Sequence, residues 1–227
     1  MTAPADGTTS LGSWLFYETT RAITFPLLTL GFSLRYRQNK NVPKTGPLLL
    51  IANHQSFLDP PIVAQAFERQ LVYLARSTLF RNPFFRVLIK GLNAVPIDQD
   101  GIGKDGLKLI LAQLEMGSAV LVFPEGTRTP DGKMHPLRPG IHLLIKRTRA
   151  LIVPVGLAGV YDAWPSWRKY PLPAPLFLPP TSSTLGLAVG DPLDPRRFAD
   201  MPRDAAMAAL GEEIAKVQVQ AEALRRK

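Results

Sequence analysis

Two short runs of this chain carry side chains whose types and spacing could do chemistry. The first is "NHQSFLD", Asn53 to Asp59. His54 and Asp59 stand five positions apart, across what reads as a turn between an apolar strand and a helix. One turn can fold the carboxylate back onto the imidazole. The carboxylate would fix the tautomer and stabilise the imidazolium, leaving the other ring nitrogen to take a proton from a hydroxyl. Ser56 lacks the Gly-x-Ser-x-Gly setting of a nucleophilic serine, so the pattern favours direct attack by an activated substrate alcohol. Read alone, the block admits a second role, with Asp59 capping the helix and His54 bonding backbone.

The second run is "FPEGTR", Phe123 to Arg128. Gly126 permits a tight turn that brings backbone N–H groups near an anion. Arg128 offers a planar fork that matches a phosphate. Glu125 can accept from a substrate hydroxyl or hold Arg128. Read alone, this block also fits a surface Arg–Glu turn.

The elements that must position these runs follow from apolar patterning. Leu48–Ala52, Leu71–Ala75, Ala94–Ile97, Ala119–Phe123, Leu151–Val155 and Leu185–Val189 read as short strands. Helices are expected over Pro60–Glu68, Asn82–Lys90, Lys104–Met116 and Pro139–Arg147, and from Pro202 to the C-terminus. Strands alternating with helices imply an α/β fold, a single layered domain with a largely parallel central sheet flanked by helices. Both chemical runs then sit just past strand ends, where open α/β sheets bind ligands. The C-terminal stripe of Met207, Leu210, Ile214, Val217, Ala221 and Leu224 has the spacing of a face docked on the domain.

The 227-residue composition narrows the classes. Apolar residues make up 46% of the chain and charged ones 20%, which excludes a disordered chain. Cysteine is absent, which excludes disulfides, a thiolate nucleophile and Cys-ligated zinc. No metal site is expected. The net charge of +9 is concentrated, with 20 basic and 11 acidic side chains in residues 1–190 and seven of each in 191–227. A basic body attracts nucleic acid, an anionic membrane surface or a phosphorylated substrate. No helix-turn-helix, zinc or RNA-binding signature supports the first.

Leu11 to Leu34 is mostly apolar but carries Glu18, Arg21 and Pro26. Its longest uncharged run, Ala22 to Leu34, falls short of the roughly 20 residues that span a bilayer. It reads as a helix lying in a membrane interface, with Arg35, Arg37 and Lys40 reaching headgroups, or packed on the domain's own core. The Pro-rich stretch Trp164–Pro180 cannot be a regular helix or central strand. Its aromatic and basic residues fit a membrane rim or a lid.

From about Pro47 to Pro192 the chain resembles the 1-acylglycerol-3-phosphate acyltransferase family, the acyl-CoA and acyl-carrier-protein acyltransferases of glycerolipid synthesis. The resemblance rests on the His-X4-Asp block at His54 and Asp59 together with Phe123–Arg128. It implies His54 as general base and Asp59 as its partner. It implies that Glu125, Gly126, Thr127 and Arg128 serve the acceptor's hydroxyl and phosphate. It also places Ile152, Val153, Pro154 and Val155 near the acyl chain, and Arg76 where the family usually has a lysine. The family's second block usually ends in a basic residue, and here Asp98 and Gln99 stand in that neighbourhood.

The implied organisation is a tail and membrane-associated helix over 1–40, an acyltransferase domain over 41–200 and a docked helix over 201–227. The implied reaction moves an acyl group from acyl-CoA or acyl-carrier protein to a lysophospholipid, without any further cofactor. The implied place is the cytoplasmic face of a membrane, peripheral or monotopic, such as a bacterial inner membrane. A different lysolipid acceptor such as lyso-ornithine lipid, and a non-catalytic lipid-binding module on the same fold, are the competing readings.

Overall fold

The computed structural model describes residues 11–81, 83–97 and 103–227. In chain order the elements are α1 (Leu11–Phe32), β1 (Arg35–Arg37), β2 (Leu48–Ala52), α2 (Asp59–Gln65), β3 (Leu71–Arg76), α3 (Pro83–Gly91) and β4 (Ala94–Ile97). They continue with α4 (Lys104–Glu115), β5 (Ala119–Val122), α5 (Gly140–Arg147), β6 (Leu151–Ala158), α6 (Val160–Ala163), β7 (Gly186–Val189), α7 (Arg196–Ala199) and α8 (Arg203–Leu224). A short 3-10 turn, Ser77–Arg81, joins β3 towards α3.

The described strands form one sheet in the order β1-β7-β6-β2-β5-β3-β4. Every neighbouring pair is parallel except β6 with β7. The fold is therefore α/β with a largely parallel sheet flanked by helices, as the alternation of patterns implies. β2 shows why the sheet must be covered on both faces. Leu48, Leu50 and Ala52 pack with Ile62 and Val63 of α2 and Leu28 of α1. Leu49 and Ile51 pack on the other face with Ile110 of α4, Ile141 and Leu144 of α5 and Leu210 of α8. A strand sandwiched this way needs an uninterrupted apolar run, since successive side chains point to opposite faces.

The structure differs from the sequence reading at several elements. Arg35–Arg37, which the sequence pattern does not mark as a strand, is a three-residue edge strand in parallel register with β7, pairing Arg35 with Gly186 and Arg37 with Ala188. Arg37 also donates to the Gln220 side chain of α8. An edge strand is one-sided and short, so it carries no apolar run to read. α2 starts at Asp59 and ends at Gln65, with its prolines at the first turn where no intrahelical donor is lost. β6 runs three residues beyond Val155 to Ala158, because its pairing passes from β2, which ends opposite Val155, to β7, which pairs with Val155–Ala158.

α1 rests on the domain at its inner face. Tyr17 is almost fully buried and its phenolic oxygen accepts the Leu71 N–H of β3, while burial pushes its hydroxyl up to about 12. Glu18 pairs with Arg21, whose guanidinium also donates to the Phe67 carbonyl after α2. Among the described residues no helix is long and apolar enough to cross a membrane. The position of Asp98 and Gln99 lies outside the described residues.

Candidate active site

The site is assembled by strand adjacency. β2 lies between β5 and β6, with Ile51 opposite Val122 on one side and Ala52 opposite Val155 on the other. The chain leaving β2 enters the loop 53–58, and the chain leaving β5 enters the turn at Phe123–Arg128. These two segments therefore emerge side by side at one edge of the sheet. Arg76 ends β3, the other neighbour of β5, at the same edge.

Asn53 closes this edge first. Its side-chain amide donates to the Leu157 carbonyl at 3.0 Å, and its oxygen accepts the Leu157 N–H at 2.8 Å. This reciprocal pair continues the β2–β6 ladder one residue further through a side chain. His54 follows, with its ring stacked on Phe123 at 3.9 Å between centroids. Its Nδ1 lies 2.7 Å from Asp59 Oδ2. Asp59 is fully buried, and the same Oδ2 also accepts the backbone N–H groups of Gln55 at 2.6 Å and Ser56 at 2.8 Å. The carboxylate thus folds back onto the loop before its helix, and no side chain caps α2. Three donors on one oxygen fix the carboxylate's position and its angle to the imidazole. With Nδ1 engaged, Nε2 is the nitrogen left for proton exchange.

Glu125 is 97% covered and grips two loops at once. Its Oε1 accepts the His54 N–H at 2.7 Å, and its Oε2 accepts the His135 N–H at 2.8 Å. Burial pushes its carboxyl above the usual carboxylate range, and the two amide bonds oppose that shift. The Thr129 N–H donates to the His54 carbonyl at 2.8 Å, so His54 is held to the β5 turn from both sides of its peptide. Gly126 adopts φ of 76°, the left-handed conformation a glycine tolerates, and its N–H closes the turn onto the Phe123 carbonyl.

Arg128 stacks its guanidinium 3.5 Å from the centroid of the Phe57 ring, within the His54 loop. Its Nη1 is buried and finds no hydrogen-bond partner among the described residues. Burial and the nearby Arg76 cation both lower its pKa, and Asp59 raises it. Two cations that repel one another, one with a buried vacant donor, form a place where an anionic group is favourable. Thr127 is exposed at the tip of the turn.

His54, Asp59, Glu125, Gly126, Thr127, Arg128 and Arg76 thus share one edge. Ile152, Val153, Pro154 and Val155 do not line it. They are buried within β6, with Ile152 on one face of the sheet and Val153 and Val155 on the other. Ser56 is fully buried and its hydroxyl donates to the Trp164 carbonyl at 2.6 Å, which suits a tether and not a nucleophile. The backbone N–H groups of His54, Gln55, Ser56 and Gly126 are all engaged, by Glu125, Asp59 and Phe123.

Sequence reasoning passed over Asn53, Gln55, Phe57 and Phe123. Gln55 bridges the Gly132 carbonyl and the Tyr161 N–H. The signal was present in "NHQSFLD", where an amide or aromatic residue flanks the histidine at nearly every step. Their partners, Leu157, Gly132, Tyr161 and Arg128, lie about 70 to 105 positions away, beyond any local pattern.

An imidazole oriented by a buried carboxylate, at the carboxyl edge of a largely parallel α/β sheet, has the geometry that suits taking a proton from a hydroxyl. A family model described as Acyltransferase matches residues 33–158, from the residue after α1 to the last residue of β6. That is more than half of the chain, and the chain belongs to the Acyltransferase family. It is 24% identical over 189 residues to the 1-acyl-sn-glycerol-3-phosphate acyltransferase of Bacillus subtilis, covering 83% of this chain and 87% of that protein. It is 32% identical over 157 residues to the protein of the same name from Pseudomonas aeruginosa, covering 66% of this chain and 59% of that protein. The crystal structure of the 1-acyl-sn-glycerophosphate acyltransferase of Thermotoga maritima superposes with a TM-score of 0.72 at 23% identity, over 92% of this chain and 79% of that one. The fold is shared with that structure.

Proposed function

We propose that this acyltransferase moves a fatty acyl group from a thioester carrier, acyl-CoA or acyl-carrier protein, to the free hydroxyl of 1-acyl-sn-glycerol-3-phosphate, giving phosphatidic acid. The relatives' names support this acceptor. The observation that carries it is the His54–Asp59 pair sharing an edge with Arg128, whose buried Nη1 awaits an acceptor beside Phe57.

The steps follow from the geometry. Arg128 and Arg76 hold the acceptor's phosphate. His54 Nε2 takes the hydroxyl proton as the oxygen attacks the thioester carbonyl, and Asp59 stabilises the imidazolium that forms. The tetrahedral intermediate collapses, the C–S bond breaks, and the imidazolium returns its proton to the departing thiolate. The Thr127 N–H, in the exposed part of the turn, is the candidate oxyanion donor. The thioester is already activated, so the chemistry calls for no further cofactor. We place the reaction at the cytoplasmic face of a membrane.

The test is an acceptor panel with both donors. Lysophosphatidate should be the best acceptor, and His54→Ala should lower turnover by roughly 10²–10⁴-fold while the fold persists. Wild-type rates in that variant would defeat the base assignment. Preference for lyso-ornithine lipid would favour the second reading, motivated by the neutral Gln99 where the family resemblance expects a cation.

A further inference from the structure

The mechanism uses nothing from the Pro-rich arm at 164–180, yet this arm carries the most exposed large apolar side chain among the described residues. Phe177 is 80% exposed, Trp167 and Tyr170 67% each, and Leu172 and Leu178 about half. Loops with such side chains usually collapse onto the domain. This one is held open by backbone bonds. The Leu172 N–H donates to the Ala163 carbonyl at 2.7 Å. The Ala174 and Leu176 N–H groups donate to the Gly31 and Leu30 carbonyls at 2.9 Å each. The Ser33 hydroxyl donates to the Ala174 carbonyl, and Arg226 donates to that of Leu176. The arm is thereby fixed along the C-terminal end of α1.

That end of α1 bears its own exposed stripe, Ile23, Leu27 and Leu30, spaced by four and three so that they share one face. The stripe and the arm meet at Leu30. Residues 164–180 contain no carboxylate, and α1's single acid, Glu18, is buried and paired. The arm's cations lie beside its aromatic rings, Arg168 at 5.0 Å from the Trp167 centroid and Lys169 at 5.2 Å from that of Tyr170. Aromatic rings with a polar end suit a membrane–water boundary, apolar tips suit the acyl region below it, and flanking cations suit anionic headgroups. Two adjoining segments with exposed apolar side chains and no exposed carboxylate of their own fit an anionic lipid interface better than a basic protein partner.

The arm also begins inside the site. Trp164 accepts the Ser56 hydroxyl through its carbonyl, and its ring lies 5.7 Å from that of Phe57, on which Arg128 stacks. We propose that residues 167–178 form, with the Ile23–Leu27–Leu30 stripe, a two-part seat for an anionic lipid surface, whose arm half joins the membrane to the catalytic loop through Ser56 and Phe57. This deepens the function proposed above by naming where its lipid substrate would arrive.

Sedimentation of the full chain with sucrose-loaded vesicles tests the seat. Vesicles of phosphatidylglycerol with phosphatidylcholine should bind more tightly than pure phosphatidylcholine. A Trp167→Ala/Phe177→Ser/Leu178→Ser variant should lose at least about tenfold in partition to the anionic vesicles. Its turnover of a dispersed short-chain lysophosphatidate should stay within about twofold of wild type, while Val219→Ser, at an exposed apolar position on α8, should change neither. Wild-type partition in the arm variant would overturn the proposal. So would wild-type chains that self-associate or capture acyl-carrier protein through the arm while ignoring vesicles. Absence of acyl transfer in the wild type, with the vesicle results as expected, would defeat the proposed function and leave the seat standing.

Discussion

At the scale of single residues, the site separates side chains that meet substrate from those that hold the ones that do. Glu125 is assigned to the acceptor by family resemblance, yet both its oxygens are committed to amides of the His54 and His135 peptides. The two roles predict different kinetics. Glu125→Gln keeps the shape but turns one oxygen into an NH₂ facing a backbone donor, leaving a buried amide unpaired at a cost of about 1–3 kcal/mol. If Glu125 acts by holding His54, kcat falls and KM for the acceptor barely moves. If it touches the acceptor, KM rises instead. Steady-state rates over a range of lysophosphatidate concentration decide between them. The carboxyl's raised pKa adds a sign to check. The folded state binds this proton more tightly than the unfolded one, so protonation adds stability as pH falls through the raised pKa, and that gain is gone above it. The Gln variant should lose that part of the pH dependence of unfolding.

At the scale of elements, the edge strand β1 and the glycines that seat α8 were the parts that local pattern did not reveal. The buried strands β2, β5 and β6 were legible as apolar runs because both faces of each are covered. The His54–Asp59 pair was legible because its two members share a turn. β1 was not, because three residues reading Arg-Tyr-Arg become a strand only when β7 is there to pair with them. The reciprocal Asn53–Leu157 bonds were equally hidden, since they depend on β6 lying beside β2. The fit of α8 rests on glycines whose importance is steric. A Cβ on Gly156 would stand 2.3 Å from the Gln218 nitrogen and the Val217 carbonyl carbon, and one on Gly186 would stand 2.1 Å from the Ala221 oxygen. These are backbone atoms that cannot rotate aside, so the helix itself must lift. Gly156→Ala should therefore cost about 1–3 kcal/mol, as overpacking does. For a chain of this length that lowers Tm by about 2–4 °C per kcal/mol. Thermal unfolding checks it, and an unchanged Tm would mean that α8 does not sit against β6 in solution.

At the scale of the whole molecule, the charge that first divided the possibilities acquires a direction. The excess of cations lies in residues 1–190, which include Arg76 and Arg128 at the candidate site and the arm's Arg168 and Lys169. A basic body at an anionic surface works at two ranges. Contacts with headgroups weaken with salt as the Debye length shrinks from about 10 Å at 0.1 M to about 3 Å at 1 M. Burial of Phe177 and Leu178 in acyl chains does not weaken, because the hydrophobic contribution is not screened. Raising sodium chloride from 0.1 M to 1 M should thus lower partition to anionic vesicles towards, but not below, that seen with neutral ones. Lys169→Gln should reduce the salt-sensitive part by about 1 kcal/mol, roughly fivefold at low salt, and leave the residual part untouched. Vesicle titrations at the two salt concentrations read both components. Should salt abolish binding altogether, the exposed aromatic and aliphatic side chains would have no share in it. Should salt leave binding unchanged, the cations would owe their place to the acceptor's phosphate and the carrier alone.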